Sequence, residues 1–221
     1  MFGQALVPLL LTLKVAGFAT LLALLTGGLC GFLLARYSFW GRDVLDAICT
    51  LPMVMPPTVL GYYLIVVIGR RGWIGGWLYE NLGVNLMFSW EGAVLASAVV
   101  AFPLVFKSAR AAFEGVDTQL ENAARTLGSS ELRVFARVTL PLAWRGILAG
   151  TMLAFARGMG EFGATLMVAG NIPGKTQTLS LAVYDAVQAG QDDLANFLVL
   201  VTSIVCVLIL VASGKLFKPA Y

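Results

Sequence analysis

Three long stretches of this 221-residue chain carry no charge: 21 positions from Val15 to Ala35, 23 from Ala47 to Gly69 and 21 from Leu194 to Gly214. A helix rises about 1.5 Å per residue, so each stretch can cross the roughly 30 Å hydrocarbon layer of a bilayer. Backbone groups find no water there and must bond within the helix. Only 12% of the residues are charged, against about 25% in an ordinary soluble domain, which excludes a soluble fold.

Two further runs are shorter or interrupted. Gly92–Phe106 holds 15 uncharged residues, extended toward the interface by Phe88, Ser89, Trp90 and Glu91. Gly146–Gly174 is crossed by Arg157 and Glu161. The expectation is an all-α polytopic membrane protein with about five transmembrane helices. Lys14 ahead of the first run resembles the start of a secretory signal, but the run's length and the lack of a clear cleavage site favour a retained span.

Basic residues near the span ends set orientation. Arg36, Arg42, Lys107, Arg110, Arg125, Arg133, Arg137, Arg145, Lys215 and Lys218 fall on one side; Lys14, Arg70, Arg71 and Lys175 fall on the other. The positive-inside rule makes the first set cytoplasmic, with the amino terminus outside and the carboxyl terminus inside. Cys30, Cys49 and Cys206 lie within spans, where a thiol packs as a small hydrophobe. Without histidine or a catalytic constellation around Glu161 or Asp185, neither a metal site nor a membrane-embedded enzyme is expected.

The second run contains Pro52, Pro56 and Pro57, followed by Thr58. Each proline lacks an amide hydrogen and restricts the residue before it, so a continuous lipid-facing helix would be poorly satisfied. Either a structural kink or a break lining a protein cavity answers this. Arg157 and Glu161 stand four apart, so one helix would place both on one face and pair them. A structural ion pair and a charged gate or path lining both fit, because intramembrane charges face interiors or aqueous routes.

Small residues four apart, Gly27 with Gly31 and Gly146 with Gly150, permit close helix approach, in ordinary bundle packing or at a moving or dimeric seam. Arg70–Trp77 mixes basic and aromatic groups suited to an interface. Thr178–Asn196 reads as a short amphipathic helix, over an outer mouth or on the lipid surface.

Residues 118–141 form a basic, helix-forming insert in this oily chain. Thr118 and Glu121 have capping-box spacing, Gly128 can end the helix, and Ser129 or Ser130 can start another before Pro141. Two short surface helices with a tight turn are expected. They would either organise lipid headgroups through Arg125, Arg133 and Arg137 or dock a soluble partner.

Asn122-Ala123-Ala124, three residues, Gly128, nine residues, then Val138-Thr139-Leu140-Pro141 resembles the cytoplasmic EAA loop of permeases in binding-protein-dependent ABC importers. Asn122 stands at that pattern's glutamate position, with Glu121 just before it. Leu51–Tyr63, Gly160–Gly170 and Pro173–Leu181 resemble the molybdate permease group in particular, with the sulfate/thiosulfate branch as nearest alternative.

The resemblance implies a type I ABC importer permease core over 1–221, with 118–141 as its coupling loop. It assigns Ala123, Ala124 and Gly128 to the docking turn and Leu140-Pro141 to the return into the membrane, with Glu121 and Asn122 in the same loop. Pro56, Pro57, Thr58, Arg157 and Glu161 are candidates for the pore or gate. The implied partners are a second copy of the chain, two cytoplasmic ABC ATPases, an extracytoplasmic oxyanion-binding protein and membrane lipids, with no role for nucleic acid. ATP and Mg2+ would be used by the ATPases, since the chain has no Gly-x-x-x-x-Gly-Lys-Ser/Thr sequence; it would bind no cofactor itself and work in a bacterial inner membrane. A non-transporting scaffold is the rival from another class, distinguished by the absence of ATP-dependent flux.

Overall fold

The computed structural model describes residues 2–216, with side chains placed for 3–211. Lys218 and the side chain of Lys215, both counted for orientation, lie outside the described residues. The described chain is helical: α1 (Phe2–Arg36), α2 (Arg42–Val54), α3 (Pro57–Ile68), α4 (Trp73–Leu82), α5 (Trp90–Glu114), α6 (Thr118–Thr126), α7 (Glu131–Val134), α8 (Leu140–Met159), α9 (Gly163–Ala169), α10 (Leu179–Gln188) and α11 (Asp192–Leu216). A π-helical segment, Phe135–Thr139, joins α7 to α8. Four described helices are long and apolar enough to cross a membrane, and the α2–α3 pair makes a fifth if counted as one broken span.

α5 is the axis of the bundle, and glycines let its neighbours approach. Built Cβ atoms at Gly27 and Gly31 on α1 would lie 3.2 Å from the Phe106 amide and 2.9 Å from the Ala109 Cβ. At Gly146 and Gly150 on α8 they would meet Ala112 at 2.7 Å and Ser108 at 2.3 Å. Both small-residue stripes are therefore spent on packing within the chain, where close backbones strengthen dispersion.

The proline-rich run breaks at Met55–Pro56, and the helix axis turns by 115° between α2 and α3. Met55 is extended, as a residue before proline prefers. Pro57 occupies the first turn of α3, where a missing amide costs nothing. The run Gly146–Gly174 is likewise not one helix. α8 stops at Met159, and a turn leads into the seven-residue α9.

α1 begins well before Val15, at Phe2. Ala5 packs with Leu179, Ala182 and Ala186 of α10 and Ala195 and Leu198 of α11, while the Leu179 amide donates to Thr12 Oγ1 at 2.8 Å. The amphipathic segment thus covers the amino-terminal part of α1. Nearby, the Lys14 ammonium sits 3.4 Å from the Trp90 ring centroid, and Arg70 stacks on Tyr79 at 4.0 Å, as cations and rings pair at interfaces.

Candidate functional site

At the opposite end, Asp117 caps α6 and accepts the Gln119 amide at 2.8 Å. The expected Thr118–Glu121 capping box does not form, because aspartate is the better cap and stands one residue earlier. Glu121 instead turns inward, only 3% exposed. It pairs with Arg36 at the end of α1, accepts from Thr139 Oγ1 at 2.5 Å, and has the Arg125 guanidinium 3.9 Å from its other oxygen. Asn122, at the motif's acidic position, faces outward and accepts from Arg125 at 2.8 Å. Arg125 also grips both oxygens of Glu131, at 2.8 and 3.1 Å, and that carboxylate holds its guanidinium above the ordinary range.

Gly128 ends the helix as its position suggests. Its φ of +78° is left-handed, and the Ser129 amide reaches the Ala124 carbonyl at 3.1 Å while the Gly128 amide reaches Arg125 at 2.9 Å. These two bonds define a Schellman turn. Ala123 is exposed and Ala124 half-buried beside it.

The second short helix is not free-standing. α7 runs through the π segment directly into α8, and the two form one 29-residue span from Glu131 to Met159. Pro141 supplies the reason, since its ring and missing amide oppose regular bonding to the preceding turn and the wider π segment absorbs the conflict. Leu140 and Pro141 are the first two residues of α8, nine residues into that continuous span. Leu120, Leu127 and Leu132 project at 51%, 85% and 79% exposure, so the insert presents an apolar knob.

Arg42 and Asp46 of α2 meet Lys107, Arg110 and Glu114 of α5 beside this knob. Arg42–Glu114 and Arg110–Glu114 are 2.9 Å, Lys107–Asp46 is 2.6 Å, and Arg110 also contacts Asp46. No α2 side chain is buried, so these partly exposed pairs, each worth under about 1 kcal/mol, act as a group. Arg36, Arg42, Lys107, Arg110 and Arg125 thus gather at one end, while Lys14 and Arg70 lie at the other.

Between the ends, the proline break and Arg157 share one cavity. It measures about 260 Å³ and is lined by Pro52, Met53, Met55, Pro57, Leu60, Val100, Leu104 and Arg157. Pro56 and Thr58 are exposed next to it. Arg157 contacts Glu161 at 2.8 Å, but not as two residues on one helix face, because the helix ends between them at Gly160. Glu161 is 3% exposed, and its other oxygen accepts the Ala164 amide at 2.9 Å, capping α9. α9 in turn touches α3, where a Cβ at Gly163 would stand 2.8 Å from Pro57.

Asp117, Arg36 and Thr139 complete this site without standing among the residues to which the resemblance gives a role. An acid directly before Thr118 was a readable cap signal, but nothing local marks Arg36, 85 residues from Glu121.

Four long apolar helices and one sharply bent helix pair among the described residues, with a helical knob at one end, define a polytopic membrane protein. Residues 5–220 match the family of binding-protein-dependent transport system inner membrane components. The chain is 52% identical over 179 residues to the molybdenum transport system permease protein ModB of Escherichia coli K12, covering 81% of this chain and 78% of that protein. It is 36% identical to the "Probable sulfate transport system permease protein cysT" of Chlorella vulgaris, covering 81% and 67%. A chain of the MetNI methionine ABC transporter, solved in inward-facing conformations, shares the fold with a TM-score of 0.75 at 18% identity, covering 98% of this chain and 96% of that one. The chain belongs to the binding-protein-dependent transport system inner membrane components and, within them, to the ModB permeases. It is a multi-pass inner-membrane subunit of a multi-subunit ABC importer.

Proposed function

We propose that this chain is the permease subunit of an ATP-driven importer that carries molybdate, and tungstate as its chemical analogue, into the cytoplasm. The insert carries the transport reading: a tight-turned helix with three exposed leucines at the basic end of the bundle is built to seat in a soluble partner. The 52% identity to a molybdenum transport permease supports the cargo.

Two copies would enclose the path, using the exposed faces of α2 and α3 around Met53, Val54, Tyr62 and Tyr63. Two ATPases would seat the coupling loops, residues 118–141 of each copy, through Ala123, Ala124, Gly128 and the neighbouring leucines, and an extracytoplasmic protein would deliver the oxyanion. Pro56, Pro57, Thr58, Arg157 and Glu161 would form the gate region. Within it, Arg157 offers the anion a cation whose field Glu161 partly cancels, which favours passage over tight retention.

The energetics explain the need for ATPases. Moving a dianion into a cytoplasm negative by about 100 mV costs roughly 4.6 kcal/mol, and each tenfold of uphill gradient adds about 1.4. ATP-driven closure of the ATPases would draw the paired loops together and open the path outward; hydrolysis would restore the inward opening. Alternation requires contacts that differ between two states.

Reconstituted uptake with the cognate ATPase and binding protein tests the proposal, comparing molybdate, tungstate and sulfate. ATP-dependent molybdate accumulation is expected. Sulfate uptake at equal or greater rate would move the chain to the sulfate branch, and partner binding without flux would make it a scaffold.

A further inference from the structure

Glu121 lies one residue from the motif's acidic position, yet faces the wrong way to touch a partner. It is the buried residue of α6, a nine-residue helix whose apolar Leu120 points to solvent. Of its other apolar side chains, Ala123 is exposed and Ala124 only half-buried. Between the end of α1 and the insert lies an open groove of about 840 Å³, bordered by Leu29, Phe32 and Tyr37. What spans that groove is a carboxylate held by Arg36 of α1 on one side and by Thr139, immediately before α8, on the other.

Resting on the reading that the insert docks an ATPase, we propose that Glu121 is a positioning residue for coupling. It is an internal pin that locks the insert to α1 and to the base of α8, so that displacement of the insert is delivered to both membrane helices.

Three features support this. The Arg36 and Glu121 side chains are 19% and 5% exposed, which shields their attraction from solvent, whereas the Arg125–Glu131 pair further out is 39% and 75% exposed. A charge-assisted hydrogen bond is directional and tolerates little rotation, unlike an apolar contact that can slide. Thr139 belongs to the π segment, so the pin meets α8 where its backbone already departs from regular geometry and can bend.

Removing the pin should separate docking from transport. Glu121→Gln keeps the shape and loses the charge; Thr139→Val removes one hydrogen bond; Arg36→Glu with Glu121→Arg, in an Arg125→Gln background that removes the cation 3.9 Å from position 121, exchanges the charges. Each permease is reconstituted with wild-type ATPase and binding protein, and three quantities are read: ATPase association, ATP hydrolysis, and molybdate imported per ATP.

For Glu121→Gln, association within twofold of the parent is expected, with hydrolysis retained and molybdate per ATP down at least tenfold. Thr139→Val should lower that ratio about threefold, and the exchanged pair should recover part of it. An unchanged ratio in Glu121→Gln overturns the proposal, as does loss of association. If Glu121→Gln fails to fold, an unchanged ratio in Thr139→Val overturns it instead. Leu127→Asp tests the underlying reading separately: it should abolish association, and if it does not, the docking reading fails whatever Glu121 does.

Discussion

Glu161 serves two partners from one buried carboxylate: Arg157 on the helix before it and the Ala164 amide on the helix after. Stripping one partner from a buried charge costs more than removing the charge itself. Arg157→Gln should therefore lower stability by about 1–3 kcal/mol, at the low end because Arg157 is 39% exposed and partly screened. Adding Glu161→Gln should recover part of that loss, since a neutral amide still accepts from Ala164. Thermal unfolding in detergent reads the cycle, and a double variant less stable than Arg157→Gln alone would contradict it. Uptake separates the two readings of the pair: if Arg157 lines the path, both variants lose at least tenfold in transport, whereas a purely structural pair restores transport along with stability. These charges were legible in the sequence because charges are rare in oil. Glu121 was legible as a capping-box and loop residue but not as a buried one, because its partners Arg36 and Thr139 are brought to it by the tertiary fold.

The elements follow the uncharged runs but overshoot them, for a physical reason. The run ending at Phe106 continues as helix to Glu114 because Lys107, Arg110 and Glu114 find opposite charges on α2 or within α5. α1 continues outward past Lys14 because Trp90 accepts the ammonium and α10 and α11 cover Ala5. Hydropathy measures transfer into lipid and is blind to such pairing. It is equally blind to direction, which is why the runs at Ala47–Gly69 and Gly146–Gly174 each read as one crossing although both contain a break. Prolines flag the first break; around the second, Gly158, Gly160 and Gly163 lower helix rigidity without locating the turn. The glycine stripes make the sharpest prediction at this scale. A leucine at Gly150 has to displace Ser108, whose Cβ lies 2.3 Å from where the new Cβ would sit and whose Oγ lies at 2.5 Å. Overpacking of this kind costs about 1–3 kcal/mol. Gly150→Leu should lower the melting temperature in detergent and the yield of assembled complex, while Gly28→Leu, with nothing within 4 Å of its Cβ, should leave stability within about 0.5 kcal/mol. Equal damage from both would mean that the α5–α8 contact is not what limits stability.

Across the whole molecule, charge and packing agree on two distinct ends. Glu121–Arg36 and the α2–α5 ion pairs cluster with the insert; Lys14–Trp90, Arg70–Tyr79 and the α10 cover lie at the other end. The broken α2–α3 pair must count as one crossing for this to hold, because α1 ends beside the insert while α5 begins beside Lys14. Were α2 and α3 to dip in and return, α5 would start at the insert end, and Trp90 would not reach Lys14. On the positive-inside rule, the excess of arginine and lysine would put the insert in the cytoplasm, where, on the proposed function, a soluble ATPase would meet the exposed Leu127. Replacing Cys30, Cys49 and Cys206 by alanine and introducing either Leu127→Cys or Glu80→Cys exposes this to measurement with a membrane-impermeant maleimide. Leu127→Cys should label in inside-out vesicles and stay protected in intact cells, and Glu80→Cys on α4 should do the reverse. Labelling of both from the same side would require α2 and α3 to form a re-entrant hairpin. The path enclosed by two copies would then lose one of its walls, and the cavity joining Pro57 to Arg157 would open to one face only, which is incompatible with alternating access through it.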